Sequence, residues 1–377
     1  MTEPPSAVAV ALRSVAASGL PGAAGDWPSE PLTDGKWALL LHEVTRGAIT
    51  GLLADVVDQG ALPVTANQHA QVRQIHAARL HTCLLLEEHL LATVGVLADA
   101  GVEVRVLKGP AVAHLDYGDP SQRTFVDIDL LVRSEDFDTA VRALVDAGGA
   151  RRYREVRPGF DRRFGKGVCI VAPSRYETDL HRTLVMGPFG LWLDLTAMWS
   201  SPQPFRVGGR ELLALGVEAR FISACYHAAL GDSVPRLGQL RDVAQLLHGT
   251  PVPVDVERVR SIVRASRGEA VVARAVSLSW TALGLPEDAT SCWARGYRQN
   301  WIEERAMRTY LDRHLGFAAR SMMGLIAVPG WRAKVAFVRS LAFPSRSYGT
   351  GRYRSRTDRW RAAFRELRRL LGGKVGP

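Results

Sequence analysis

Two aspartates separated by one residue carry the clearest chemical signal in this chain: Asp127-Ile128-Asp129, within the run Phe125-Val-Asp-Ile-Asp-Leu-Leu-Val132. In a β-strand, residues i and i+2 project to the same side. The surrounding apolar residues would bury the opposite face, leaving two carboxylates on one surface. Such a pair is costly unless a cation lies between them. Mg²⁺ suits the position because hard cations take carboxylate oxygens together with substrate phosphates, and a pair of Mg²⁺ ions is the expected solution. A third carboxylate from a neighbouring strand would complete the cage. Tyr176-Glu-Thr-Asp-Leu-His181 supplies Asp179, with Glu177 and His181 on the same face. Alone, an Asp-x-Asp is a common surface-strand feature, so the metal reading rests on these companions. His181 is open between a substrate contact, support for a metal ligand and a structural histidine.

The second signal is Leu107-Lys108-Gly109, about twenty residues earlier. A glycine at a strand-to-helix turn lets backbone N–H groups approach a phosphate, and a helix starting at Pro110 adds its positive end. Lys108 places a mobile charge beside that turn. Arg123 either grips phosphate or neutralises the aspartate pair. Two look-alikes fail. Gly159-Phe-Asp-Arg-Arg-Phe-Gly165-Lys166-Gly167 has Gly167 where a phosphate-binding loop needs Ser or Thr, and its spacing is one residue too long. It reads instead as a hairpin connection whose Arg162, Arg163 and Lys166 could face phosphates. Gly349-Thr-Gly351 lacks a third glycine and a preceding strand.

These residues need elements to hold them. Residues 1–35, rich in Ala, Gly, Pro and Ser, read as a loose lead-in. Apolar spacing predicts a helix over 36–59 and a longer one over 66–100, capped by Thr65 and stopped by Gly101. Its histidines lack metal-ligand spacing and read as solvated. From 101 the period shortens: strands are expected over 103–107, 125–132, 151–156, 168–172 and 176–182, with a helix from Ser134 to about Ala147. Helical segments then follow at 211–230, 236–248, 255–283 and 298–315. Asp116 and Asp119 read as turn residues. His227 and Asp242, on amphipathic helices, are better suited to helix packing or a buried ion pair than to catalysis.

The ordered set Val106-Leu107-Lys108-Gly109, Arg123, Asp127-Ile-Asp-Leu-Leu-Val132 and Asp179-Leu-His181, followed by Cys225-Tyr-His227, Arg236-Leu237 and Leu240-Arg-Asp-Val243, resembles an uncharacterised bacterial nucleotidyltransferase family of the DNA polymerase beta-like superfamily. The resemblance implies an α+β fold: a polymerase beta-like nucleotidyltransferase core of mixed sheet and helices, flanked by helical regions. It further implies two divalent metals, a nucleoside triphosphate donor such as ATP, and an acceptor attacking the α-phosphate as pyrophosphate leaves. Carried over by position, Asp127, Asp129 and Asp179 hold metal, and Asp179 doubles as base toward an acceptor hydroxyl. Lys108, Gly109, Arg123 and His181 face the nucleotide. Pro110 stands where the wider superfamily has a hydroxyl or an N–H, which leaves the phosphate grip to Lys108 and Arg123. The corresponding organisation is a lead-in (1–35), N-terminal helices (36–100), a catalytic core (101–190), a helical domain (191–319) and a basic segment (320–377).

Composition agrees with a folded chain of this kind. Of 377 residues, 47% are hydrophobic and 23% charged, enough for a sizeable core. Four scattered cysteines argue against a disulfide framework or cysteine-rich zinc site and favour a reducing cytoplasm. No uncharged apolar run reaches the length of a membrane span, and the first residues lack a basic leader, so neither a spanning helix nor a secretory signal is expected. The net charge of +10 is uneven. From Arg320 onward fourteen Lys and Arg oppose only Asp358 and Glu366, a local +12 that leaves −2 for the first 319 residues. Interleaved with aromatics, this segment could dock on the body, lie peripherally on an anionic inner-membrane surface, or bind nucleic acid. The competing reading of the whole chain is a non-catalytic binding module in which this tail does the work. The acceptor is open among a small molecule, a peptide and a protein.

Overall fold

A computed structural model describes residues 6–232, 234–312, 322–345 and Tyr348. The shortened period after residue 101 marks the start of a seven-stranded mixed sheet. Its strands are β1 (Val104–Val106), β2 (Ile128–Val132), β3 (Ala150–Arg151), β4 (Gly167–Val171), β5 (Glu177–His181), β6 (Gln203–Val207) and β7 (Arg210–Ala214), in spatial order β3-β4-β5-β2-β1-β7-β6. β2 runs parallel to β5 and β1 parallel to β7, while the other neighbours are antiparallel. The α+β class expected from the sequence is the fold observed.

Helices enclose this sheet. N-terminal to it lie α1 (Ala7–Ala17), α2 (Asp34–Gly47), α3 (Thr50–Asp58) and α4 (Ala66–Asp99). Within it fall α5 (Pro110–Asp116), α6 (Phe137–Asp146), α7 (Phe160–Phe164), α8 (Gly187–Trp192) and α9 (Leu195–Trp199). After it come α10 (Val217–Leu230), α11 (Leu237–His248), α12 (Val256–Ala265), α13 (Glu269–Leu283), α14 (Ala289–Gly296), α15 (Trp301–Leu311) and α16 (Trp331–Ala342). One core joins the sheet to α4 and α6, through Leu86, Leu90, Ile128, Leu130, Phe137 and Leu180. A second, larger core gathers the helical body around α10, α11 and α13, and receives Leu107 and Leu131 from the sheet side.

Several elements depart from the sequence expectation. Residues 7–17 are not a loose lead-in but a helix, with Ala11, Val15 and Ala16 fully buried. Their alanines have the highest helix propensity and allow close packing. The helix expected over 36–59 breaks at Ala48, which adopts a left-handed conformation (φ 57°), giving α2 and α3. The strand expected over 151–156 shrinks to Ala150–Arg151, and the connection at 159–167 contains the short helix α7. The helix expected over 211–230 starts only at Val217, because 203–214 forms the hairpin β6–β7. Residues 255–283 divide into α12 and α13. The N-cap of α6 is Asp136 rather than Ser134.

α4 begins as expected, with Thr65 and Gln68 forming a reciprocal capping box at 3.1 and 3.2 Å. It corrects one exclusion: an 18-residue window with mean hydropathy 1.3 makes it long and apolar enough, by length and composition, to cross a membrane. Its Cys83, Leu86, Leu90 and Leu97 pack against the sheet, and 28% of that window is buried. Nor are its histidines simply solvated. His89 Nε2 meets Thr178 Oγ1 at 3.0 Å, and His76 Nε2 meets Ser121 O at 3.0 Å.

Asp116 is the largest revision. It is no surface-turn residue but is fully buried, held by Arg220 through Nε (2.9 Å) and Nη2 (2.8 Å). Arg220 also donates to Gln203 Oε1 and Leu215 O, so one guanidinium ties α5, β6 and α10 together. Removing one partner of a buried ion pair strands the other charge at a cost of about 3–5 kcal/mol. Arg220→Met should therefore destabilise the chain by about that amount in urea unfolding, and Arg220→Met/Asp116→Leu should recover part of the loss.

Candidate active site

The site is assembled by strand register. In the parallel pair β2–β5, Asp129 lies beside Asp179; across the antiparallel pair β4–β5, Cys169 faces Asp179 and Gly167 faces His181. Gly167 is required there, since a Cβ would stand 2.2 Å from Leu180 O. On the other flank, Leu107 N donates to Asp129 O (3.0 Å), which holds Lys108 at the end of β1 against β2. Gly109 follows with φ 59° and ψ −113°, a conformation open only to glycine. Leu-Lys-Gly thus turns sharply beside the acids.

Asp129 is the centre of the cluster, 1% exposed. Its Oδ1 accepts from His181 Nε2 at 2.7 Å, and Lys108 Nζ stands 3.1 Å from Oδ2. Among the described residues Lys108 is the one partner of Oδ2, which is buried. Burial opposes the charge on Asp129, yet Lys108 and His181 prevail and hold the carboxyl far below the usual range. Asp127 goes the other way: burial raises it, reinforced by the Asp129 and Asp179 charges and partly offset by Lys108. Burial also pulls His181 down, helped by Lys166.

Asp129, Asp179 and His181 bring ligand atoms within 4.8 Å of one another. This is the tight set, whereas the sequence grouped Asp127 with Asp129 and Asp179. Asp127 precedes the first residue of β2 and lines the neighbouring cavity. A clustered pair of carboxylates, one of them with an oxygen met only by Lys108, fits a hard divalent cation, which would take Asp129 Oδ2 as a ligand and relieve the repulsion on Asp127.

Arg123 lies at this site but is already committed. Asp242 binds it bidentately, at 2.9 Å to Nε and 2.8 Å to Nη2, and Thr124 O takes Nη1. Tyr117 donates to the same carboxylate at 2.9 Å. Asp242 thus serves the buried ion pair expected of it, and orients Arg123 at the cavity wall.

Two cavities adjoin the acids. One, of about 540 Å³, is lined by Lys108, Gly109, Arg123 and Asp127 together with Arg46, Arg79, His227 and Arg236. The other, of about 550 Å³, borders Lys166, Gly167 and Cys169. Burial lowers Lys166, which is charge-coupled to Asp129, Asp179 and Asp127. Of the basic residues expected on the 159–167 connection, Lys166 lines this cavity and Arg162 pairs with Asp138 at 3.4 Å. Arg46, Arg79 and Asp232 had no signature in the sequence, because helical residues far apart in the chain reach the site only through packing.

Residues 33–282 match the family model described as uncharacterised nucleotidyltransferase. The chain belongs to this nucleotidyltransferase family, and it is a nucleotidyltransferase. No curated protein matches it in sequence. Among solved structures, the antibiotic-resistance factor ANT(2'')-Ia, known from a solution structure, is similar over 50% of this chain and 92% of its own, at 15% identity and a TM-score of 0.33. The family assignment rests on the sequence match. Of the basic segment at 320–377, residues 322–345 and Tyr348 are described; its remaining residues lie outside the described chain.

Two expectations follow from this geometry. Lys108 competes with any cation for Asp129, so Lys108→Met should tighten Mn²⁺ binding in the absence of nucleotide by about tenfold, or about 1.4 kcal/mol, in calorimetry. The Cys169 thiol is pushed up to about 12, first by burial and then by Asp179 and Glu177. At pH 7.5 it stays protonated and poorly nucleophilic. Iodoacetamide should therefore modify exposed Cys292 and spare Cys169, read by peptide mass spectrometry.

Proposed function

We propose that this nucleotidyltransferase uses Mg²⁺ to move a nucleoside monophosphate from a nucleoside triphosphate to a hydroxyl-bearing acceptor, releasing pyrophosphate. The observation that carries this reading is the buried Asp129 carboxylate beside Asp179, whose Oδ2 has Lys108 as its one partner among the described residues, a position whose charge balance calls for a cation. Asp129 and Asp179 would hold metal, with Asp127 completing the carboxylate set toward the donor cavity. When bound, Mg²⁺ supplies Lewis-acid stabilisation of charge on the phosphoryl oxygens.

The residues of the chain divide the remaining work. The cavity bearing Lys108, Arg79, Arg123 and Arg236 suits a triphosphate, because clustered cations match its charge. Gly109 lets the backbone come close, and Asp242 keeps the Arg123 fork oriented. The acceptor oxygen forms a bond to the α-phosphorus while the bond from that phosphorus to the α,β-bridging oxygen breaks. Pyrophosphate leaves with the electron pair, and the hydroxyl proton passes to the Asp179 carboxylate. His181, bonded to Asp129, is a positioning residue that fixes the carboxylate's orientation.

Labelled ATP, GTP, CTP and UTP incubated with the protein and a cell extract test the reaction. Label should move from triphosphate to product with Mg²⁺ and stop with EDTA. Asp129→Asn should lower the rate by on the order of 10³-fold, and Asp242→Asn by about tenfold, mostly through KM. Triphosphate turnover that survives both EDTA and Asp129→Asn would overturn the proposal.

A further inference from the structure

The second cavity has a composition of its own. Its wall is an aromatic cluster: Phe160 stacks on Phe337 (centroids 6.0 Å apart, 21° between planes), and Phe164 meets Phe337 edge-on at 5.1 Å. Leu191 and Val156 extend the apolar surface. The ionic groups on its lining are mostly cationic: Arg152, Arg154 and Lys166, against Asp161. Arg152 is paired with Glu177, and Asp161 is paired with Arg151. Lys166 has no ion pair or side-chain hydrogen bond among the described residues. It lines the cavity and lies close enough to Asp129, Asp179 and Asp127 to feel their charge.

Strand register ties this cavity to the chemistry. Cys169 on its lining lies opposite Asp179, and Gly167 lies opposite His181. The cation-lined cavity touches the acids from the other side, through Lys108 and Asp127. In-line displacement needs the attacking and leaving oxygens on opposite sides of phosphorus, and two cavities flanking one acid cluster meet that need. Phe337 comes from α16, beyond the family-matched residues 33–282. The segment carrying it is latched to the core: Ser345 N donates to Val156 O (2.8 Å), and Arg157 Nη1 donates to Phe343 O (2.7 Å).

Resting on the transferase reading above, we propose that the cavity walled by Phe160, Phe164 and Phe337 is the acceptor site, and that it takes a small hydroxylated molecule with a flat aromatic body and an anionic group directed at Lys166. A volume of about 550 Å³ admits a molecule of ordinary small-ligand size. Flat rings gain from offset or edge-on contact with the phenylalanines, and Lys166 supplies the charge partner. Polycationic acceptors are disfavoured, since like charges on the rim repel them. α16 thereby acts as the specificity wall that this chain adds to its family core.

Two fluorescent probes of similar shape test this on the full chain without nucleotide: the anion 8-anilinonaphthalene-1-sulfonate and the uncharged N-phenyl-1-naphthylamine. Phe337→Ala should weaken both by about tenfold. Lys166→Gln should weaken only the anionic probe, by severalfold. Phe337→Leu, which keeps much of the apolar volume, should stay folded by circular dichroism and still bind both less tightly, guarding against a folding artefact. Anion binding unchanged in Lys166→Gln, or equal losses of both probes there, would overturn the charge assignment. Competitive displacement of the anion by metal-free ATP would instead make this the donor cavity and overturn the proposal. None of these readouts uses turnover, so failure here is separable from failure of the Mg²⁺-dependent transfer.

Discussion

Asp129 carries a full negative charge at 1% exposure, and taking a carboxylate out of water costs several kcal/mol unless cations meet it. The surrounding structure can be understood as the answer to that cost. The β1–β2 pairing brings Lys108 to one oxygen, and the β2–β5 pairing brings His181 to the other. What they leave is an Oδ2 met by Lys108 alone and two further aspartates whose charges repel. An additional cation would suit such a site, a hard one best, because two of the three groups that could hold it are carboxylates.

Two further ion pairs hold the frame around this centre. Asp116–Arg220 locks α5 to α10, and Asp242 on α11 holds Arg123 at the cavity wall with Tyr117. Both connect helices of the body to the segment running from Gly109 to Asp127, which carries the phosphate-side residues. The helical body is therefore more than a flanking domain, since it sets the geometry on one side of the acids. On the other side the positioning is done by β4, α7 and the aromatic contact with α16.

The family match and the second cavity divide the chain differently. The acids, the Lys-Gly turn and the Arg123–Asp242 pair all lie within the matched residues 33–282. The wall contributed by Phe337 lies outside them.

The local chemistry was legible in the residues themselves. A period of two placed Asp129 and Asp179 on strand faces, with Asp127 falling just before β2 instead of on it, and Thr65 announced α4, since both signals depend only on neighbours in sequence. Elements whose local preference competes with tertiary pairing were not legible. Arg210-Glu-Leu-Leu-Ala214 contains good helix formers but pairs as a strand with β1 and β6. The alanine-rich 7–17 looked loose until its partners in the body were present. Partner choice was equally hidden: Asp116 with Arg220 spans 104 residues, and Arg123 with Asp242 spans 119. The sequence alone determined which acids and which turn exist. Only the tertiary structure decided that Asp129, Asp179 and His181 form the tight set with Asp127 at its edge, because strand register and burial are contacts between distant segments and no local pattern encodes them.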